Sequence, residues 1–326
     1  MLLQPAKREY RTWILDSRRW ENYRARPSDV ILASHPKSGT TWMLRIINLL
    51  ISQSTEPRSL DKLSPWIDRR FPVAASDMWT ELEAQSHRRV LKSHLPLDGL
   101  PLFDNVRYIH VARDGRDVCM SYHNHITGFT PETLARLDRE GLQDQTIGRP
   151  YPRISADPAE FFQYWLTHGA VSGHHDGSPS VSYFAFERSY WEQRTRPNLL
   201  FVHYNGLKRD LRGEMHRIAA FLDVTVADKL WPSLVQAAQF ETMKQEGDKL
   251  TPNLMSMFIG GTERFFNKGI NRRWEGLFRP DSLALYERKL AAELPAGCVK
   301  WLETGSLSTE PQPAREYLVA GEVRPG

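Results

Sequence analysis

Apolar positions cluster along the chain in a few short runs that predict its regular structure. Val30-Ile31-Leu32-Ala33 is an unbroken apolar run, the pattern of a strand buried on both faces. It leads through a turn of small residues into a helix over Thr41–Ser52, which carries the apolar stretch Ile46 to Ile51. Val90–Ser93 reads as a second short strand, stopped by Pro96. Val106, Tyr108, Ile109 and Val111 are β-formers ended by Asp114-Gly115, and "RDVCMSYHNHI" after them starts a helix. "NLLFVHY", residues 198–204, predicts another strand. An amphipathic helix of about 208–222 follows it, with Leu211, Met215, Ile218, Ala219 and Leu222 on one stripe. Strands alternating with helices imply an α/β fold with a central, mainly parallel sheet flanked by helices. Ligands of such sheets sit at the carboxyl ends of the strands, where the turns into helices lie.

Between these runs the pattern loosens. Residues 8–29 are charged and aromatic and predict a helical lead-in over 1–27, ahead of a main domain over 28–302. Residues 53–88 read as a loop-rich segment, with Pro57, Pro65 and Pro72 among the aromatics Trp66, Phe71 and Trp79. Residues 125–197 are polar and rich in proline and glycine, and include "GHHDGSPS"; they predict a mobile loop within a lid or insertion. From 303 to 326 Ser, Thr, Glu and Pro dominate, the composition of a loosely held tail.

Composition narrows the function. A chain of 326 residues with 40% hydrophobic and 25% charged residues can build a sizeable core. The net charge of +4 is carried by scattered basic residues, which favours an anionic small ligand over nucleic acid. Cys119 and Cys298 are too few and too far apart for a disulfide framework or a cysteine zinc site. The first 20 residues lack the continuous apolar core of a signal peptide. No stretch approaches the roughly 18 apolar residues of a membrane span, so the expectation is a soluble, cytoplasmic protein. The pairs His123/His125 and His174/His175 have no consistent acidic companions and predict no metal site.

The turn "SHPKSGTTW" carries the chemistry. Pro36 fixes the chain direction, and Ser38, Gly39, Thr40 and Thr41 are small enough for successive backbone N–H groups to converge on an anion. Lys37 adds positive charge. The same residue types would also make an ordinary capped strand–helix turn. The lysine precedes the glycine, so this is not the nucleotide-triphosphate pattern, and magnesium-bridged phosphoryl transfer is not favoured.

"PKSGTTW" resembles the 5′-phosphosulfate loop of the cytosolic-type sulfotransferases, which use 3′-phosphoadenosine 5′-phosphosulfate (PAPS). "LKSHLP" (91–96) is similar to the segment holding that family's catalytic histidine, here His94. "YIHVARDGRDVCMSY" (108–122) is similar to its 3′-phosphate-binding strand, loop and helix, with Arg113 and Ser121 at the binding positions. "FFNKGINRRW" (265–274) resembles the loop that closes over the 3′-phosphate. Together these segments span about residues 28–280.

The resemblance implies PAPS as co-substrate and 3′-phosphoadenosine 5′-phosphate (PAP) as product, without a metal. It implies His94 as general base, Lys37 at the leaving phosphate oxygen and Lys92 at the sulfuryl oxygens, with Lys37, Ser38, Gly39, Thr40 and Thr41 forming the loop. A histidine suits the base role because its ordinary pKa of about 6.5 leaves it largely neutral at physiological pH. Arg113 offers a planar fork for a phosphate; by itself it would be read as an ion pair with Asp114 or Asp117. Asn267-Lys268-Gly269 stands where the family has Arg-Lys-Gly, leaving Arg264, Arg272 or Arg273 to replace the missing guanidinium. Trp42, Tyr204 and Phe240 occupy adenine-side positions, and Ala238 replaces a threonine that would reach the base.

The acceptor expected is a small hydroxyl compound, a phenol or an apolar alcohol, against Trp66, Phe71, Trp79 and His123. Tyr151, Phe161 and Phe162 are further wall candidates, although Phe161, Phe162 and Trp165 have the spacing of a packed helix; His125 could join His123 in lining the pocket. Arg279-Pro280 interrupts the family's dimer-forming pattern, leaving the oligomeric state open. A small-molecule kinase of the same fold and a non-catalytic nucleotide-binding protein are the rival readings.

Overall fold

The computed structural model describes residues 1–71 and 74–307. Four parallel strands form its central sheet: β1 (Val30–Ala33), β2 (Val90–Ser93), β3 (Arg107–Ala112) and β4 (Leu199–His203), in the spatial order β2-β1-β3-β4. Register places Ala33 beside both Ser93 and His110, and Ala112 beside His203, so the strands end together at their carboxyl edge. Alternate residues feed opposite faces, as the pleat requires. Val30, Leu32, Ile109 and Val111 pack in one core with helix α1 (Thr40–Ser52) and the stripe of a helix over Leu211–Phe221. Ile31, Ala33, Tyr108 and Ala112 face a second, larger core. A separate antiparallel ribbon pairs Leu2–Gln4 with Leu102–Phe103.

Two expectations are corrected by tertiary packing. Residues 8–29 form no α-helix, only a single tight turn at Ser17–Trp20. Side chains of Thr12, Asp16 and Ser17 bond local backbone N–H groups, which competes with a helix, while Tyr10, Trp13, Trp20 and Tyr23 anchor the segment in the larger core. The loop-rich segment 53–88 also holds two helices, Leu60–Leu63 and Ala75–Ala84. The section 125–197 is more than polar loop. It holds helices Pro131–Gln143, Pro158–Thr167 and Tyr183–Trp191, and Phe161, Phe162, Trp165, Tyr183, Phe184 and Tyr190 lie in the larger core.

The "GHHDGSPS" loop is itself tied down. Asp176, Ser178 and Ser180 are buried, Gly177 N–H donates to the Trp165 carbonyl at 2.7 Å, and Asp176 accepts from Tyr183 N–H at 3.1 Å. A last helix, Ala296–Thr304, runs into the start of the expected tail, and residues 308–326 lie outside the described residues. Among the described residues no helix is long and apolar enough to cross a membrane.

Candidate active site

One cleft opens at the carboxyl edge of the sheet. Its walls come from the turn between β1 and α1, the segment after β2, helix α2 (Gly115–Ile126) after β3, the residues after β4, and the stretch 265–273. The first turn is shaped by two residues in left-handed backbone, Lys37 (φ 74°) and Gly39 (φ 109°). A methyl group on Gly39 would meet the Tyr204 ring at 2.9 Å. Gly39→Ala is therefore expected to destabilise the protein by about 1–3 kcal/mol, the scale of one strained backbone position, read as a lower midpoint of thermal or urea unfolding. Thr40 Oγ1 and Ser34 Oγ are 2.6 Å apart and brace the turn, whereas the buried Ser38 hydroxyl has no hydrogen-bond partner among the described residues. An unpartnered buried hydroxyl beside a helix N-terminus is a vacant donor for an anion.

Cations gather around this turn. Lys37, Lys92 and Arg113 all line the cleft, and among the described residues none of them pairs with a carboxylate. Burial, then the charges of Arg113 and Lys92, push Lys37 down to about 7. Its ammonium lies 4.3 Å from the Phe265 ring centre and 3.4 Å from His125 Nδ1. Burial likewise pushes Lys92 down to about 8, and its ammonium sits 4.3 Å over Trp66.

His94 stands among these lysines. Its Nδ1 is 2.6 Å from the Ser34 carbonyl, so Nδ1 carries the proton and donates, leaving Nε2 with a lone pair. Asp68 accepts from the His94 backbone N–H (3.0 Å) and from Trp66 Nε1 (2.8 Å), and Trp66 meets the imidazole edge-on at 4.7 Å. Burial first, then Lys92, holds the imidazolium well below its ordinary pKa, which favours the neutral imidazole.

The 3′-phosphate candidates are also present in the cleft. Arg113 lies over the Tyr204 ring at 4.2 Å and donates to Asn271 Oδ1 at 2.8 Å, not to Asp114 or Asp117. Ser121 lines the same wall, one helical turn from Asp117 and from His125. Trp42, Tyr204, Phe240, Asn267, Lys268 and Gly269 line the nucleotide side, and Trp42 Nε1 donates to the Ala238 carbonyl at 2.7 Å. Of the three arginines considered as replacements, Arg264 is spent on Asn124 O and Thr127 Oγ1, and Arg272 pairs with Glu275. Arg273 lines the cleft, close enough to Arg113 for the two charges to repel.

Several acceptor-side expectations are corrected. Trp66 lines the cleft, but Trp79 is buried against Trp20 and Tyr23, with its indole N–H on the Arg19 carbonyl. His123 points away, its Nε2 on the Ser155 carbonyl at 2.9 Å. The helical period explains this: residues 117, 121 and 125 share one face, and 123 falls on the other. His125 is the histidine at the site, ringed by Phe129, Phe258 and Phe265. Phe71 does not line the cleft, and Tyr151, Phe161 and Phe162 are core. Asp68, Asn271 and Phe265 were missed, since an acid, an amide or a phenylalanine on a loop carries no local signal. The spacing of four from Ser121 could have singled out His125 over His123.

Comparisons with known proteins bear on the family and the fold. A glycolipid sulfotransferase of Mycobacterium tuberculosis is 28% identical over 314 residues, covering 93% of this chain and 96% of the relative. A dog sulfotransferase is 26% identical over 270 residues, covering 79% and 82%. Among solved structures, a retinol dehydratase bound to androsterone and PAP aligns with TM-score 0.64 at 21% identity, over 86% of this chain and 87% of that one. A mouse sulfotransferase complexed with PAP aligns with TM-score 0.62 at 19% identity, over 85% and 88%. At these identities the structural likeness bears on the fold. The family model for the sulfotransferase domain matches residues 27–294, and the chain belongs to that family.

Proposed function

We propose that this protein transfers a sulfuryl group from PAPS to the hydroxyl of a small acceptor by in-line displacement. The observation that carries the reading is the set of cations that, among the described residues, have no carboxylate partner, the half-buried Lys37 and Lys92 and the buried Arg113, gathered around a histidine held neutral. PAP in two of the structural neighbours supports the choice of nucleotide. The residues fit it: the free Ser38 hydroxyl and the Thr40–Thr41 helix start suit a 5′-phosphate, while Arg113, Ser121 and Arg273 suit a 3′-phosphate. PAPS would supply the activated sulfuryl group. His94 Nε2 would take the acceptor's hydroxyl proton, Lys92 would offset charge on the group in transfer, and Lys37 would offset charge on the departing phosphate. The main domain, 28–302, would carry all of these residues.

Calorimetry and melting curves in EDTA test the nucleotide. PAP is expected to bind tightly and stabilise by about 2.7 kcal/mol at a hundredfold excess over Kd. ADP binding as tightly as PAP would overturn the assignment.

The lowered pKa of Lys37 adds a pH dependence. A bound anion favours the charged ammonium, so binding between pH 7 and 8 is expected to draw in a proton. Affinity should be full below the free-protein value of about 7 and fall as pH rises above it, by at most tenfold per pH unit for one proton. Calorimetry in buffers of different ionisation enthalpy reads that proton, and Lys37→Met should remove most of it.

A further inference from the structure

We propose that the acceptor carries an oxyanion besides the hydroxyl that is sulfated, and that Arg69, seconded by Arg136, receives it. This rests on the reading of His94 as the centre of a transfer site. Arg69 lies on the Trp66 indole, its Cζ 5.7 Å from the ring centre, and 5.4 Å from the ring of Phe71. The guanidinium of Arg136 is 5.6 Å from that same Phe71 ring. The side-chain hydrogen bond that Arg69 makes is to the thioether of Met257, at 3.5 Å. A thioether is a weak acceptor for a group with five donors.

The neighbouring residue gives the contrast. Arg70 pairs with Asp144 at 2.8 Å and with Glu140 at 3.7 Å. Among the described residues neither Arg69 nor Arg136 has such a partner. Asp61 acts on both Arg69 and Lys92 without pairing with either, and instead accepts from Asn253 Nδ2 at 3.2 Å. Two cations that repel each other across an aromatic ring, one of them half-buried, leave a place for a negative charge.

The location ties that place to the chemistry. The indole of Trp66 touches three functional groups: the His94 ring at 4.7 Å, the Lys92 ammonium at 4.3 Å and the Arg69 guanidinium at 5.7 Å. A flat acceptor lying along this indole can present its hydroxyl to His94 and an acidic substituent to Arg69. The class is an aromatic or apolar hydroxy compound bearing a carboxylate, phosphate or sulfate.

The test uses the full-length protein with PAPS and matched acceptors: hydroxyphenylacetate against hydroxyphenylacetamide, and hydroxyphenyl phosphate and sulfate against a hydroxyphenyl ether. The anionic member of a pair is expected to be favoured by about tenfold or more in kcat/KM, the scale of a charge-assisted hydrogen bond. The arms of the panel distinguish carboxylate, phosphate and sulfate. Arg69→Gln should bring the ratio towards one through KM, and Arg69→Lys should keep part of it. Arg136→Gln, at an exposed position, tests the same ratio should Arg69→Gln fail to fold. Neutral acceptors used as well as their anionic matches would overturn this inference alone, as would Arg69→Gln lowering both members equally. Failure to bind PAP would instead overturn the transfer reading on which it rests.

Discussion

His94→Gln is expected to reduce sulfuryl transfer by about 100- to 10,000-fold, the range of general base catalysis, while PAP affinity changes little. Glutamine can still donate to the Ser34 carbonyl that now receives the Nδ1 proton at 2.6 Å. The backbone bond from residue 94 to Asp68 is also independent of the side chain. What glutamine cannot do is accept the proton of the attacking hydroxyl. The loss should therefore fall on kcat, because deprotonation matters only as the new bond forms. His94→Ala should be at least as inactive, but it leaves the Ser34 carbonyl without its donor, next to the turn braced by Ser34 and Thr40. Some weakening of PAP is expected from that variant alone. A radiolabelled transfer assay and PAP titrations on the same preparations separate the two effects. A glutamine variant that keeps near-full turnover would place the base elsewhere, with His125 next in line.

Arg113→Ala is expected to weaken PAP by about 1.5–3 kcal/mol, roughly 10- to 150-fold in Kd, and to weaken ADP far less. The guanidinium is presented from the end of β3 over the ring of Tyr204. Its bonds to Asn271 Oδ1 and the Lys37 and Ile270 carbonyls hold the stretch after Gly269 near the first turn. A phosphate accepting from the same fork would replace an amide oxygen with a charged one, which favours exchange. Asn271→Ala is the companion measurement, since it removes the amide and leaves the charge. Equal losses for PAP and ADP in Arg113→Ala would assign the arginine to loop support and leave the 3′-phosphate to other residues.

The elements that position the site were legible because they are short-range. Val30-Ile31-Leu32-Ala33 is apolar at every position since both faces of a central parallel strand are covered, and the small residues after it permit Gly39 its left-handed backbone. Lys92 lies in the last half of β2, while Lys37, His94 and Arg113 each follow a strand by a few residues, and parallel strands in register bring such positions to one edge. Their meeting in one cleft was thus implied by local pattern and fold class together.

Direction and partnership were left to tertiary structure. Trp66 and Trp79 look alike in a proline-rich stretch, yet one meets His94 while the other stacks on Tyr23. Polar, glycine-rich 173–180 reads as mobile, but its backbone bonds to the Trp165 and His168 carbonyls tie it to the end of the preceding helix, a pairing that residue type does not reveal. The same holds for the N-terminal aromatics, which gain more by burial in a distant core than by forming a helix of their own. Arg69 and Arg70 are adjacent and identical in type, yet Asp144 and Glu140 lie beside Arg70, and among the described residues Arg69 has no carboxylate partner. The sequence alone determined which residues could do chemistry. Whether a given charge is neutralised from within or kept free for a ligand was decided by the folded structure, because pairing depends on distances between side chains far apart in the chain.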